Sequence, residues 1–125
     1  MSKFKAGSFF ESIKFALTGL LLATKSQRNV RIEIVLGMIA VIFGVLLNFS
    51  MLEFAVLLIT IGFVLMAELL NTIIEFIVDA YFGNKYSTLA KMSKDIAAGM
   101  VLMCATLSSV VGFLLFAPKI LRLYF

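Results

Sequence analysis

Glu68, Asn71, Glu75 and Asp79 follow one another at spacings of three, four and four residues, inside or at the end of a long apolar run. At about 100° per residue of helix they fall within roughly 80° of one another, forming one polar stripe on an apolar rod. Carboxylates in hydrocarbon are costly, so such a stripe faces a protein interior or a wet cavity and marks a functional site. Carboxylates with a neighbouring amide on one helix can hold a hard divalent cation, and Mg²⁺ reaches proteins through one or two carboxylates plus phosphate. Downstream lie Lys85, Lys91 and Lys94, whose ammonium groups suit phosphate oxygens. The combination points to nucleotide chemistry at a membrane surface. A polar seam between helices, or an ion pair such as Glu75 with Lys94, is the purely structural alternative.

The elements that must position this stripe are helices in a membrane. Of 125 residues, 62% are hydrophobic and the mean hydropathy is +1.11, far above soluble domains, in which about half the residues are apolar. Apolar stretches at about 32–49, 52–82 and 96–120 each satisfy the need for roughly 20 residues per crossing. Backbone groups in lipid must pair within their own segment, so all three are predicted helices of one all-α domain spanning 1–125. Before them, Phe9, Phe10, Ile13, Leu17, Leu20 and Leu21 recur at helical spacing. This predicts an amphipathic surface helix over about 6–25, lying in the interface or packed on the bundle. The 52–82 segment extends to about 46 Å against a hydrocarbon core of about 30 Å, so its last turns project or the helix tilts. Glu68 then sits in the inner leaflet, and Asn71, Glu75 and Asp79 reach progressively into water. Gly83-Asn84 reads as a turn, and 85–95 as a basic, hydroxyl-bearing loop carrying Tyr86, Lys94 and Asp95. Small residues in the third span, Ala97, Ala98, Gly99, Ala105, Ser108, Ser109 and Gly112, suit close helix contact.

Charge sets the expected topology. The net charge is +4; Lys3, Lys5, Lys14, Lys25, Arg28 and Arg31 precede the first span, 48–53 carries no lysine or arginine, and three lysines follow the second span. The positive-inside rule therefore puts the N-terminus and the second connection in the cytoplasm of a multi-pass bacterial inner-membrane protein. Lys119 and Arg122 at the far end oppose this with two charges against nine. A signal peptide ending near Ala23 is the rival reading of the first segment, but cleavage would leave the basic cluster on a translocated end. Cys104 stands alone and histidine is absent, which excludes disulfide frameworks and thiolate or imidazole metal sites. The chain has neither G-x-x-x-x-G-K-[ST] nor G-x-G-x-x-G, so any phosphate grip must come from side chains. The basic residues flank the spans, and nucleic acid is not an expected partner.

Residues 68–79, Glu-Leu-Leu-Asn-Thr-Ile-Ile-Glu-Phe-Ile-Val-Asp, resemble the E-x-x-N-[ST]-x-x-E-x-x-V-D signature of the prokaryotic diacylglycerol kinase family. Ser-Lys-Asp-Ile-Ala-Ala-Gly at 93–99 and Gln-Arg-Asn-Val-Arg-Ile at 27–32 are similar to two further family segments, in the same order. The resemblance implies a homotrimeric inner-membrane kinase, with sites between subunits, that transfers the γ-phosphate of ATP to a lipid hydroxyl. By motif position it implies Glu68 as the carboxylate taking the hydroxyl proton, Glu75 as a Mg²⁺ ligand, and Asn71 and Asp79 as residues ordering the site. Lys94 and Asp95 resemble the nucleotide-contacting pair, and Tyr86 is carried over from a loop that often reads E-Y-H and here reads Lys85-Tyr86-Ser87. Gln27 stands where many members have a second metal-binding Glu, and a neutral amide is a weaker ligand. Ile73 replaces a usual small residue. The acceptor implied is undecaprenol or diacylglycerol; the Lys-Asp-Ile-Ala-Ala-Gly wording is closer to the undecaprenol branch, whereas Glu33, where that branch often has His, is not. A small transporter or channel and a non-catalytic assembly subunit are the competing functions.

Overall fold

The computed structural model describes residues 7–125. Lys3, Lys5 and the first position of the expected surface helix lie outside the described residues. Four helices account for nearly all the rest: α1 (Phe9–Ser26), α2 (Arg28–Leu46), α3 (Met51–Phe82) and α4 (Thr88–Tyr124). Helices α2, α3 and α4 are long and apolar enough to cross a membrane, and among the described residues there is no strand.

Short polar signals set the boundaries. Ser8 caps α1 by accepting from the Glu11 N–H at 3.3 Å. Gln27, in extended backbone, closes α1 and opens α2. Across this bend the Arg31 guanidinium donates to the carbonyls of Thr24 and Lys25 at 3.0 and 2.8 Å, satisfying acceptors that a helix end leaves without partners. Asn48 takes φ +58° in the α2–α3 turn. Ser50 and Glu53 then form a reciprocal capping box, with both backbone-to-side-chain distances 3.1 Å, so α3 starts sharply. Gly83, at φ +58°, reverses the chain where a side chain would be strained.

Two expected boundaries move. The first spanning helix runs over Arg28–Leu46 rather than 32–49, because its opening turn accommodates Arg28, Asn29 and Arg31 while the left-handed Asn48 ends it before Phe49. The expected 85–95 loop shrinks to a five-residue turn, 83–87, since Ser87 caps α4 by accepting from the Ala90 N–H at 3.4 Å. Lys91, Lys94 and Asp95 therefore stand on a helix, where three- and four-residue spacings put them on one face.

Helix α3 is the centre of the bundle, packing along α4 on one side and α2 on the other; Leu57, Val64, Ala67 and Val78 are buried on it. Two glycines of α2 pack directly on α3 side chains. A Cβ added at Gly37 would lie 2.9 Å from the Ile61 side chain, and one at Gly44 would lie 2.9 Å from the Phe54 ring. The small residues of α4 behave otherwise, for only Ala97 is buried. At the end opposite the Gly83 turn, the rings of Phe49, Phe54 and Phe116 cluster with centroids 5.6 and 4.9 Å apart. There Lys119 Nζ lies 3.2 Å from Glu53 Oε1, so the lysine that opposed the charge asymmetry has an acidic partner.

Helix α1 uses two faces. Phe15, Gly19, Leu22 and Ala23 line a groove shared with Leu69, Thr72 and Phe76 of α3. Phe9, Phe10 and Leu17 of the expected apolar stripe remain exposed, at 75%, 81% and 57%, and do not line that groove, whereas Leu20 of the same stripe does.

Candidate functional site

The 32 residues of α3 form one unbroken helix, so the stripe has the geometry its spacing predicts. Glu68 is 5% exposed, whereas Asn71 and Glu75 are half-buried and Asp79 is exposed. The polar face thus opens gradually toward the Gly83 turn. Thr72, buried one turn from Glu68, donates its hydroxyl to the Glu68 backbone carbonyl at 2.9 Å and adds no competing donor to the carboxylate. Asn71 Nδ2 donates to Glu75 Oε1 at 3.2 Å, which fixes one carboxylate oxygen and leaves the other available.

Around Glu68 stand the Asn29 amide and the carboxylates of Glu33 and Glu75. Asn29 and Glu33 share a face of α2 by their four-residue spacing. They were the partners hardest to find from the stripe itself, although Asn29 lies within the Gln27–Ile32 segment already singled out. Gln27 occupies the α1–α2 bend, half-buried, and makes no side-chain capping hydrogen bond. Glu33 also borders a cavity of about 220 Å³ between α2, α3 and α4, with Thr60, Ser108 and Ser109. All three hydroxyls already donate to carbonyls of their own helices, so this is a polar seam.

Toward the turn, α3 and α4 enclose a cavity of about 300 Å³ lined by Asp79, Lys85, Tyr86, Lys91, Lys94 and Asp95 among others. Lys94 Nζ is 2.7 Å from Asp79 Oδ1, so the helix-to-helix ion pair forms with Asp79 and not with Glu75. On α4, Lys91 Nζ is 2.6 Å from Asp95 Oδ2. Tyr86 is 81% exposed at the mouth. The structure brings Asp79, Tyr86, Lys94 and Asp95 into one cavity and continues the same helix face through Glu75 and Asn71 to Glu68.

Among the described residues no three His, Cys, Asp or Glu side chains gather closely enough to cage a metal by themselves. The donor set at Glu75 and Asn71 is nevertheless oxygen-bearing and half-open, which fits a cation that keeps waters and phosphate oxygens among its ligands. The arrangement can hold a metal–phosphate complex beside lysines at one end and keeps a buried carboxylate on the same helix face at the other.

Comparison with known proteins identifies the family. The family model described as prokaryotic diacylglycerol kinase matches residues 14–116, and the chain belongs to that family. It is 38% identical over 118 residues to a diacylglycerol kinase of Synechocystis sp. (strain ATCC 27184 / PCC 6803 / Kazusa), covering 94% of this chain and 67% of that protein. It is 36% identical over 112 residues to an undecaprenol kinase of Bacillus subtilis (strain 168), covering 90% of each.

Proposed function

We propose that this member of the prokaryotic diacylglycerol kinase family is a Mg²⁺-dependent lipid kinase that transfers the γ-phosphate of ATP to the primary hydroxyl of undecaprenol or diacylglycerol. The observation that carries this reading is one continuous helix face, running from the buried Glu68 carboxylate to a cavity lined by three lysines. A lipid hydroxyl and a soluble nucleotide are phases apart, and a helix longer than the membrane core connects them.

In this reading Glu68 accepts the hydroxyl proton as the lipid oxygen bonds to the γ-phosphorus, and ADP leaves as the β–γ bridging bond breaks. Positioning and charge neutralisation do most of the work in phosphoryl transfer. Lys94 contacts phosphate, and Asp79 holds Lys94 in place at 2.7 Å. Tyr86 and Asp95 contribute to nucleotide binding. Glu75, oriented by Asn71, holds Mg²⁺, which when bound neutralises charge on the phosphates; Gln27 offers only a neutral oxygen. The groove between α1 and α3, about 370 Å³ and lined almost wholly by apolar side chains with Thr72, suits the acyl or prenyl chain of the acceptor.

The assembly we propose is a homotrimer in the bacterial inner membrane, with the N-terminus and the lysine cavity in the cytoplasm and sites completed between subunits. Its support is the family resemblance together with α4, which buries only Ala97 in the single chain. The test is transfer of labelled γ-phosphate in mixed micelles, with undecaprenol and diacylglycerol offered separately. Glu68→Gln keeps size and hydrogen bonding but lowers transfer about 10²- to 10⁴-fold, the usual contribution of a general base. Unchanged transfer in Glu68→Gln would remove the proton-acceptor assignment. No transfer to either lipid by the folded wild type would remove the kinase reading for these acceptors.

A further inference from the structure

We propose that Lys91 is a second phosphate-contacting lysine of the nucleotide cavity, held in place by Asp95 until the triphosphate displaces that carboxylate. The proposal rests on the reading of this cavity as the nucleotide site. Lys91 and Lys94 line the same 300 Å³ space and stand three residues apart on α4, which makes them neighbours on one helix face. Their ammonium groups are held by two different carboxylates, Asp95 at 2.6 Å and Asp79 at 2.7 Å.

Three lysines face two aspartates in this cavity, so the lining carries one excess positive charge. A nucleotide triphosphate brings more negative charge than that excess balances, and with no glycine-rich backbone cradle in the chain its oxygens must be met by side chains. Lys94 supplies one point charge. Lys91 is the next cation along the same rigid helix, whereas Lys85 stands on the turn. The Lys91–Asp95 pair is exposed, at 60% and 63% of the two side chains, and exposed pairs of this spacing hold weakly. A charge-assisted contact to phosphate therefore replaces it readily. Asp95 is released in the exchange and becomes free to accept from the nucleotide's own donors.

The experiment is equilibrium binding of AMP, ADP and β,γ-methylene-ATP, each with Mg²⁺, to the full chain in detergent micelles without lipid acceptor. Lys91→Met is expected to weaken the triphosphate analogue about tenfold, in line with one lost hydrogen bond to a charged group, to weaken ADP less and to leave AMP unchanged. Lys91→Arg keeps the charge and stays near wild type. Equal losses for all three nucleotides would overturn the proposal and leave Lys91 acting only through Asp95. Wild-type affinities in Lys91→Met, with a clear loss in Lys94→Met, would overturn it while sparing the nucleotide site. Wild-type affinities in both variants would overturn it together with the nucleotide reading of the cavity.

Discussion

Asn71 donates to Glu75 at 3.2 Å, and a carboxylate held on one oxygen presents the other in a fixed direction. Partners that orient a ligand in this way typically contribute 10- to 100-fold to metal affinity or activity. Asn71→Ala is therefore expected to lower transfer by about that factor and to raise the Mg²⁺ concentration needed for half-maximal rate, with nucleotide binding largely retained. A Mg²⁺ titration of transfer reads this directly; a lowered rate with an unchanged Mg²⁺ midpoint would place Asn71 elsewhere in the site. At this scale the sequence was informative wherever side chains share one element. The spacing of Glu68, Asn71, Glu75 and Asp79 fixes their common face before any fold is known. What it does not contain is the partner from another helix: Asn29 and Glu33 reach Glu68 only because α2 packs on α3, and Lys94 meets Asp79 rather than Glu75 because α4 starts eight residues before the expected span.

Among the helices, the α2–α3 contact positions Asn29 and Glu33 beside Glu68, and Gly37 is one of two glycines on which it closes. A Cβ there would stand 2.9 Å from Ile61, so Gly37→Leu forces the helices apart at a cost of about 1–3 kcal/mol, as overpacking usually does. Gly62, on the same bundle, has nothing within 4 Å of an added Cβ, and Gly62→Ala is expected to leave stability unchanged or raise it by up to about 1 kcal/mol, since alanine is the better helix former. Denaturant unfolding in mixed micelles, followed by helical circular dichroism, compares the two; equal effects would mean that α2 does not lie on α3 as described. Helix number, and the second span almost to the residue, were legible because 20-residue apolar runs are a local signal; the Ser50–Glu53 capping box that starts the second span is equally local and went unread. The packing glycines were not legible, because a helix that is apolar all round gives no sign of which side meets a neighbour. The small residues of the third span looked the better candidates, and only Ala97 is buried.

For the whole molecule, the two ends of the bundle differ in charge and in construction. At the stripe's open end stand Lys85, Lys91 and Lys94, and the α1–α2 bend adds Lys25, Arg28 and Arg31. The other end has the phenylalanine cluster, and there Lys119 is paired with Glu53 at 3.2 Å. That pair removes much of the conflict in the charge pattern, because Arg122 is left as the main cation opposing the basic end. The orientation proposed from the positive-inside rule puts the α2–α3 turn outside and the α3–α4 turn in the cytoplasm. Cys104 is the chain's single cysteine, so Cys104→Ser provides a background in which one introduced thiol reports one position. Met51, 93% exposed beside the first turn, and Asn84, exposed in the second, are the positions to use. Met51→Cys is expected to react with a membrane-impermeant maleimide in intact cells, and Asn84→Cys only after the membrane is opened. The reverse pattern would place the lysine cavity outside the cell, away from its nucleotide. Labelling of both thiols in intact cells would mean that the chain inserts in two orientations, with Lys119 and Arg122 competing with the basic end despite the pairing to Glu53.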